Sequence, residues 1–161
     1  MPNTPSPQPD QHHYLTSVLP PISVDRARIA EFADAVGDPN PVYRDPAAAR
    51  AYGHPDVITP PTFAIWISSK AEQAILDSCP GGFDFSSAVH TTQSFRLIRP
   101  IRSGDVLTAR ARTVDLKPSL GGVLLTTEVS VHASEGELVC VTTSALLSRH
   151  RQGTHSSHHD C

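Results

Sequence analysis

Phe63-Ala64-Ile65-Trp66-Ile67 opens a helical stretch that reaches about Ser78, and those five residues are apolar all the way round. A helix with no polar face has to be surrounded by the rest of its chain. The second half carries Lys70, Glu72, Gln73 and Asp77, so it is expected to emerge into solvent. Cys79-Pro80-Gly81-Gly82 then ends the helix. Whatever forms elsewhere must wrap around the opening turns of helix 62–78.

The wrapping material lies downstream. From Ser87 the hydrophobic period changes to two, giving strand candidates at about 88–99, 106–117, 122–133 and 137–149. In the third, Val123, Leu125, Val129 and Val131 fall on one face and Thr126, Glu128, Ser130 and His132 on the other. In the fourth, Val139, Val141, Ala145 and Leu147 alternate with Cys140, Thr142 and Ser144, and the aliphatic set is expected to face the core. Such alternation describes an antiparallel sheet with one covered face. Pro118 to Gly122 and Ser134 to Gly136 supply hairpin connections.

Upstream, Tyr14 to Val24 is β-rich but broken by Pro20-Pro21, which suits a short edge strand. Asp25 can cap a helix over 25–36, whose Ile29, Phe32, Ala33 and Val36 form one apolar stripe. Asp45-Pro46 starts a second short helix to about Tyr52, and Gly53-His54-Pro55-Asp56 breaks it. The simplest packing is an α+β hot-dog fold, a curved antiparallel sheet wrapped around the central helix with two small helices lidding one end. A two-layer α+β sandwich competes with it. A single hot dog leaves strand edges and one side of its helix poorly covered, so dimerisation is expected.

Between the first two helices lies Gly37-Asp38-Pro39-Asn40-Pro41-Val42-Tyr43. Gly37 suits a helix stop. The prolines fix their own φ and push the preceding residue out of the α region, holding Asp38 and Asn40 in one stiff geometry. An active-site loop is built this way, and so is an ordinary turn.

Composition narrows the function classes. The chain has 161 residues, enough for one domain, expected at 14–150. Residues 1–13, rich in proline, are expected to be a disordered leader. Residues 151–161 form a polar tail whose His155, His158, His159 and Cys161 lack a rigid support for a metal. A net charge of −3 with 13 Lys and Arg gives no general argument for nucleic acid or an anionic membrane. Three cysteines imply no disulfide framework. No apolar run approaches the roughly 18 residues of a membrane span, and no signal peptide opens the chain. A cytoplasmic protein without metal or cofactor is the expectation.

The loop, together with Ile58-Thr59-Pro60-Pro61-Thr62-Phe63, His90-Thr91-Thr92-Gln93-Ser94-Phe95 and Arg99-Pro100-Ile101-Arg102-Ser103-Gly104-Asp105, resembles the MaoC-like hot-dog (R)-specific hydratase/dehydratases. It looks most like HadA-type subunits of (3R)-hydroxyacyl-ACP dehydratase. The family loop reads G-D-x-N-P-x-H, and here Tyr43 stands in the His position. The resemblance implies removal of water from a 3-hydroxyacyl thioester, or its addition to the enoyl form. The loop Asp and His move the protons, and a backbone N–H at the central helix start polarises the thioester carbonyl. Asp38 and Asn40 match the motif. Tyr43, with an ordinary pKa near 10, is no general base at neutral pH. Family members carry His-Gly where this chain has Pro60-Pro61, and proline has no N–H, so Thr62 is the next donor.

The resemblance therefore implies a substrate-holding subunit, with an intact MaoC-like partner supplying Asp and His. Asp38 is the degenerate catalytic position. Asn40, Tyr43, Pro61, Thr62, Phe63 and Ile67 are expected at the substrate, the last two lining an acyl tunnel. Arg96, Arg99, Arg102, Arg110 and Arg112 either dock an acyl carrier protein or CoA phosphate, or form solvated strand faces. His54 and His90 are the candidates for a replacement base. A self-sufficient homodimeric hydratase using Asp38, a non-catalytic acyl-thioester binding module and a hot-dog thioesterase stand as alternatives.

Overall fold

A computed structural model describes residues 15–77, 87–119 and 121–149. The leader, the tail, the helix stop at Cys79–Gly82 and residue Ser78 lie outside the described residues. Six strands, β1 (Thr16–Val18), β2 (Ile22–Ser23), β3 (Val89–Leu97), β4 (Val106–Ser119), β5 (Gly122–His132) and β6 (Leu138–Arg149), form one antiparallel sheet. Its order is β1-β4-β5-β6-β3, with β2 also pairing to β4, so β3 is an edge strand. The sheet curves around α3 (Ala64–Asp77), while α1 (Arg26–Ala35) and α2 (Pro46–Ala51) close one end. This is the hot-dog arrangement, and it removes the two-layer sandwich.

Local chemistry accounts for the small elements. The Asp25 carboxylate accepts from Arg28 N–H at 2.8 Å and the Asp45 carboxylate from Ala47 N–H at 2.8 Å, satisfying helix donors that lack an internal partner. The central helix starts later than its pattern suggests. Pro61–Phe63 form a 3-10 turn first, because two successive prolines give the entry no internal donors. At its core end Phe63, Ala64, Ile67, Ala71 and Ile75 are fully enclosed, packed against Leu107, Ala109, Val129 and Val131 of the sheet.

Four expectations need correction. Val36 is half exposed, because α1 ends at Ala35 and Val36 turns away with the loop. Pro118 lies within β4 opposite Val123 rather than in the turn, which is tightened to two residues. Glu72 is only 2% exposed and faces the sheet, although its half of the helix carries exposed Ser69, Lys70 and Gln73. The fourth strand is turned over. Val139 is buried as expected, but from there Cys140, Thr142, Ser144, Leu146 and Ser148 are the buried set, and Val141, Ala145 and Leu147 lie half-buried on the other face. The reason is shared: Ser144 Oγ and Thr127 Oγ1 sit 2.6 and 2.9 Å from Glu72 Oε1, so helix and sheet satisfy each other's polar groups.

The bend between β3 and β4 is held by charge. Arg99 donates to Asp105 through Nη1 and Nη2 at 2.8 and 3.1 Å and to Glu137 through Nε and Nη2 at 2.8 and 2.9 Å. Asp105 also accepts from Arg102 N–H at 3.0 Å, and Gly104 takes φ +90°, a conformation costly for any side chain. Val24 N–H and Gly104 N–H exchange bonds with the Asp105 and Val24 carbonyls at 2.9 Å each, pinning the N-terminal segment to the bend. Replacing Asp105 with Ala strands a largely buried guanidinium and a backbone donor, with an expected loss of about 1–3 kcal/mol in chemical denaturation. Glu137→Ala, at the solvent end of the same network, should cost clearly less.

Candidate functional site

The site expected from the motif is a loop closed on itself. Gly37 takes φ +70°, and its N–H and that of Asp38 reach back to the Asp34 and Ala33 carbonyls at 3.1 and 2.9 Å, ending α1. Asp38 Oδ1 accepts from Asn40 N–H at 3.0 Å, and Asn40 Oδ1 accepts from Val42 N–H at 3.1 Å, capping a 3-10 turn over Pro41–Tyr43. Arg44 clasps the loop from outside, donating to the Asp38 carbonyl at 2.8 Å while pairing with Asp34. Sequence reasoning passed over Arg44; its separation of ten residues from Asp34 carries no local periodicity that could have flagged it.

Three strand-like contacts place this loop beside the central helix entry and the charged bend. Ile58 N–H donates to the Val42 carbonyl at 3.3 Å, Thr59 N–H to Ile101 at 2.8 Å and Ser103 N–H to Val57 at 3.0 Å. Asp38-containing loop, Pro60–Thr62 and Ser103–Asp105 therefore form one connected region, as their joint appearance in the sequence suggested.

Within it, Asn40 is exposed, Asp38 half-buried and Tyr43 only 7% exposed, part of the core. Burial raises the Tyr43 pKa above its usual value, and the neighbouring Asp38 carboxylate raises it further. The phenol is a proton donor across the physiological range, so the pair Asp38–Tyr43 offers a carboxylate and a hydroxyl but no base resembling imidazole. At the helix entry Phe63 N–H bonds the Pro60 carbonyl at 3.0 Å. Thr62 N–H is the first donor past the prolines, and it has no partner among the described residues. Phe63 and Ile67 are fully enclosed, with Phe63 in edge-to-face contact with Phe32 at 5.2 Å, and Phe63 also lines a pocket of about 180 Å³ with Phe32 and Trp66. His90 is exposed on edge strand β3, and His54 is half-buried just past α2.

Residues 19–142 match the FAS1-like dehydratase domain region, more than half of the sequence. The chain belongs to that family. A UPF0336 protein of Saccharopolyspora erythraea is 44% identical over 130 residues, covering 81% of this chain and 83% of its own. Among solved structures, a MaoC-like dehydratase matches with TM-score 0.77 and 26% identity, over 86% of this chain but 42% of the other. The C-terminally truncated HadBC (3R-hydroxyacyl-ACP dehydratase) complex from Mycobacterium tuberculosis matches with TM-score 0.76 and 24% identity, over 84% of this chain and 96% of that one. The fold is thus that of MaoC-like hot-dog hydratases.

The arginines divide sharply once this FAS1-like dehydratase domain is seen folded. Arg99 is consumed by Asp105 and Glu137, Arg102 lies 3.8 Å from Asp105, and Arg112 pairs across strands with Glu128 at 2.9 Å. Those three have carboxylate partners in the sheet and its bend, so less of their charge is left for a ligand than a count along the chain suggests. Arg96 and Arg110 have no ion pair among the described residues. Arg110 lines an open cleft of about 580 Å³ with His132 and Thr108. Two cations not singled out from sequence, Arg28 and Lys70, flank Trp66 at 4.6 and 5.1 Å from its ring.

The Tyr43 geometry has a consequence for stability. Its folded pKa exceeds the unfolded value near 10, so its contribution is complete below that pH and is lost as pH rises through the folded pKa. Wild-type stability should therefore fall more steeply above about pH 10 than that of Tyr43→Phe. Denaturation series of both proteins, with tyrosinate absorbance followed in parallel, measure this; superimposable alkaline limbs would contradict it.

Proposed function

We propose that this chain is the substrate-holding subunit of a heteromeric (3R)-3-hydroxyacyl-thioester dehydratase, and that a partner hot dog supplies the catalytic Asp and His. The observation that carries the proposal is Tyr43. A buried phenol whose pKa is pushed upward stands where the general base belongs, and it cannot take a proton at neutral pH. Pro60 and Pro61 support the same reading, since they delete the first donors at the helix entry and leave the carbonyl of a bound thioester to Thr62 N–H. Similarity to HadBC, described as a complex, favours a hot-dog partner over self-sufficiency.

In this assembly Asp38 and Asn40 keep the loop in shape rather than moving protons, because each spends a side-chain oxygen on its own loop backbone. The acyl group arrives as an acyl-carrier-protein or CoA thioester in fatty-acid or polyketide synthesis in the cytoplasm. Arg96 and Arg110, left without carboxylates, are the charges available to the carrier.

The test is co-expression with a short hot dog carrying an intact G-D-x-N-P-x-H loop, followed by steady-state hydration of a trans-2-enoyl thioester. The lone chain should be inactive and the complex active. In the complex, Asp38→Ala and Tyr43→Phe should each lower turnover less than about tenfold, whereas changing the partner's motif histidine should cost about 10²–10⁴-fold. Tyr43→His alone should create no second site, since Pro61 still offers no N–H. Loss of all activity in Asp38→Ala with an unchanged melting temperature would make this subunit catalytic and overturn the division of labour.

A further inference from the structure

Beside the entry of the central helix lies an open pocket of about 180 Å³, lined by Arg28, Glu31 and Phe32 of α1 and by Phe63 and Trp66. Its apolar wall is one cluster of rings. The Phe63 centroid lies 5.2 Å from that of Phe32 and 5.7 Å from that of Trp66. Phe63 is enclosed and backs the pocket, while Phe32 and Trp66 are half-buried and meet whatever enters it.

Two cations stand over this wall. The Arg28 guanidinium lies 4.6 Å and the Lys70 ammonium 5.1 Å from the centre of the Trp66 ring, which attracts both. Arg28 is half-buried, yet among the described residues neither cation has a carboxylate within ion-pair distance. Their neighbours are committed elsewhere, Arg26 to Asp56 and Arg44 to Asp34. Glu31, the one carboxylate lining the pocket, is exposed and pairs with neither cation. Two like charges held on one ring repel each other, and an anion between them turns that repulsion into charge-assisted hydrogen bonds.

The pocket also has a defined place relative to the helix entry. Thr62, next to Phe63, is exposed and keeps the free N–H described above. Thr62, Trp66 and Lys70 are spaced by four, so they follow one side of the helix, and none of them is fully buried. Eight residues carry the helix about 12 Å along its axis. A carbonyl accepting from the Thr62 N–H sits about 3 Å further out, for a total near 15 Å. A pantetheine arm has thirteen bonds from thioester sulfur to phosphorus, about 15 Å at the advance per bond of an extended polypeptide. Its carbon with two geminal methyls comes three bonds before the phosphorus. An apolar branch followed by an anion is the order in which the ring wall and the two cations are met along the helix.

We propose that this pocket is the station for the phosphopantoyl end of the carrier arm. The geminal methyls seat against Phe32 and Trp66, and Arg28 and Lys70 bind the phosphate. The proposal rests on the acyl-thioester reading above and adds where the arm lies. CoA and acyl carrier protein present the same group, so the station recognises what they share. Arg96 and Arg110, on strands β3 and β4, remain for the body of the carrier.

The experiment titrates the full-length chain, in its complex with a hot-dog partner where one forms, with non-hydrolysable analogues of one trans-2-enoyl thioester. Four carriers are compared: pantetheine, phosphopantetheine, CoA and acyl carrier protein. The phosphopantetheine form should bind wild type about tenfold or more tightly than the pantetheine form, with the preference shrinking as salt rises. Trp66 is the only tryptophan in the chain, and its emission should change on binding. The double variant Arg28→Gln/Lys70→Gln should erase the phosphate preference and leave pantetheine affinity unchanged, with melting temperatures recorded to confirm folding. It should weaken the CoA and carrier-protein forms alike, and Lys70→Gln alone should give part of that loss. Equal affinities for the two pantetheine forms in wild type, or a preference that survives in the double variant, would overturn the station while leaving the acyl-thioester reading intact. A loss confined to CoA would place the contact on its nucleotide and overturn the station as well. Binding of none of the four would overturn that reading and the station with it.

Discussion

Enclosure of one helix is the constraint from which the rest of this fold follows. Phe63, Ala64, Ile67, Ala71 and Ile75 lose essentially all contact with water, and each large side chain among them contributes about 1.5–3 kcal/mol when buried. A flat sheet covers one stripe of a helix, whereas these residues together with the equally buried Ser68 and Glu72 span about half its circumference. The sheet has to curve, and long paired strands such as β4 and β5 curve through irregularities like the register shift at Thr113/Asp115. The loops then fall at the two ends of the wrapped helix, which is why Asp38, Pro61 and Asp105 come together although about half the domain's sequence separates the first from the last.

The apolar half of that constraint was legible in the sequence and its polar half was not. Five consecutive apolar residues announce a surrounded helix, and the period-two stretches announce the sheet that does it. Glu72 and the buried face of β6 escaped because hydropathy assigns each residue alone. Ser144 and Thr127 are good core residues only because a carboxylate three elements away accepts their hydrogens. Valine on the opposite face of β6 satisfies the alternation rule equally well, so the pattern pointed to the wrong side. A strand between two others, half-covered on both faces, gives periodicity little power to choose.

The candidate site shows a similar division. Asp38, Asn40 and the two prolines are local features, and the turn chemistry they imply is the turn observed: each side chain caps its own loop. The charged residues were harder. Arg99, Arg102 and Arg112 looked like a basic surface when counted along the chain. Their carboxylate partners at Asp105, Glu137 and Glu128 become visible only with strand register and the fold of the bend. Counting charge from sequence measures supply, and pairing in three dimensions decides how much of it remains for a ligand.

Two departures from the family pattern are better understood together than separately. On the proposed role, a tyrosine in place of the loop histidine leaves the base to the partner, and a thioester held at this helix entry then gains nothing from a strong oxyanion donor. Prolines at 60 and 61 then carry no catalytic penalty, while they stiffen the entry to the central helix and lower the entropy lost on folding. Tyr43 for its part fills core space among Val42, Val57 and Phe63, a role that a smaller, more polar imidazole serves less well. On the proposed division of labour, the loop thus trades reactive groups for packing.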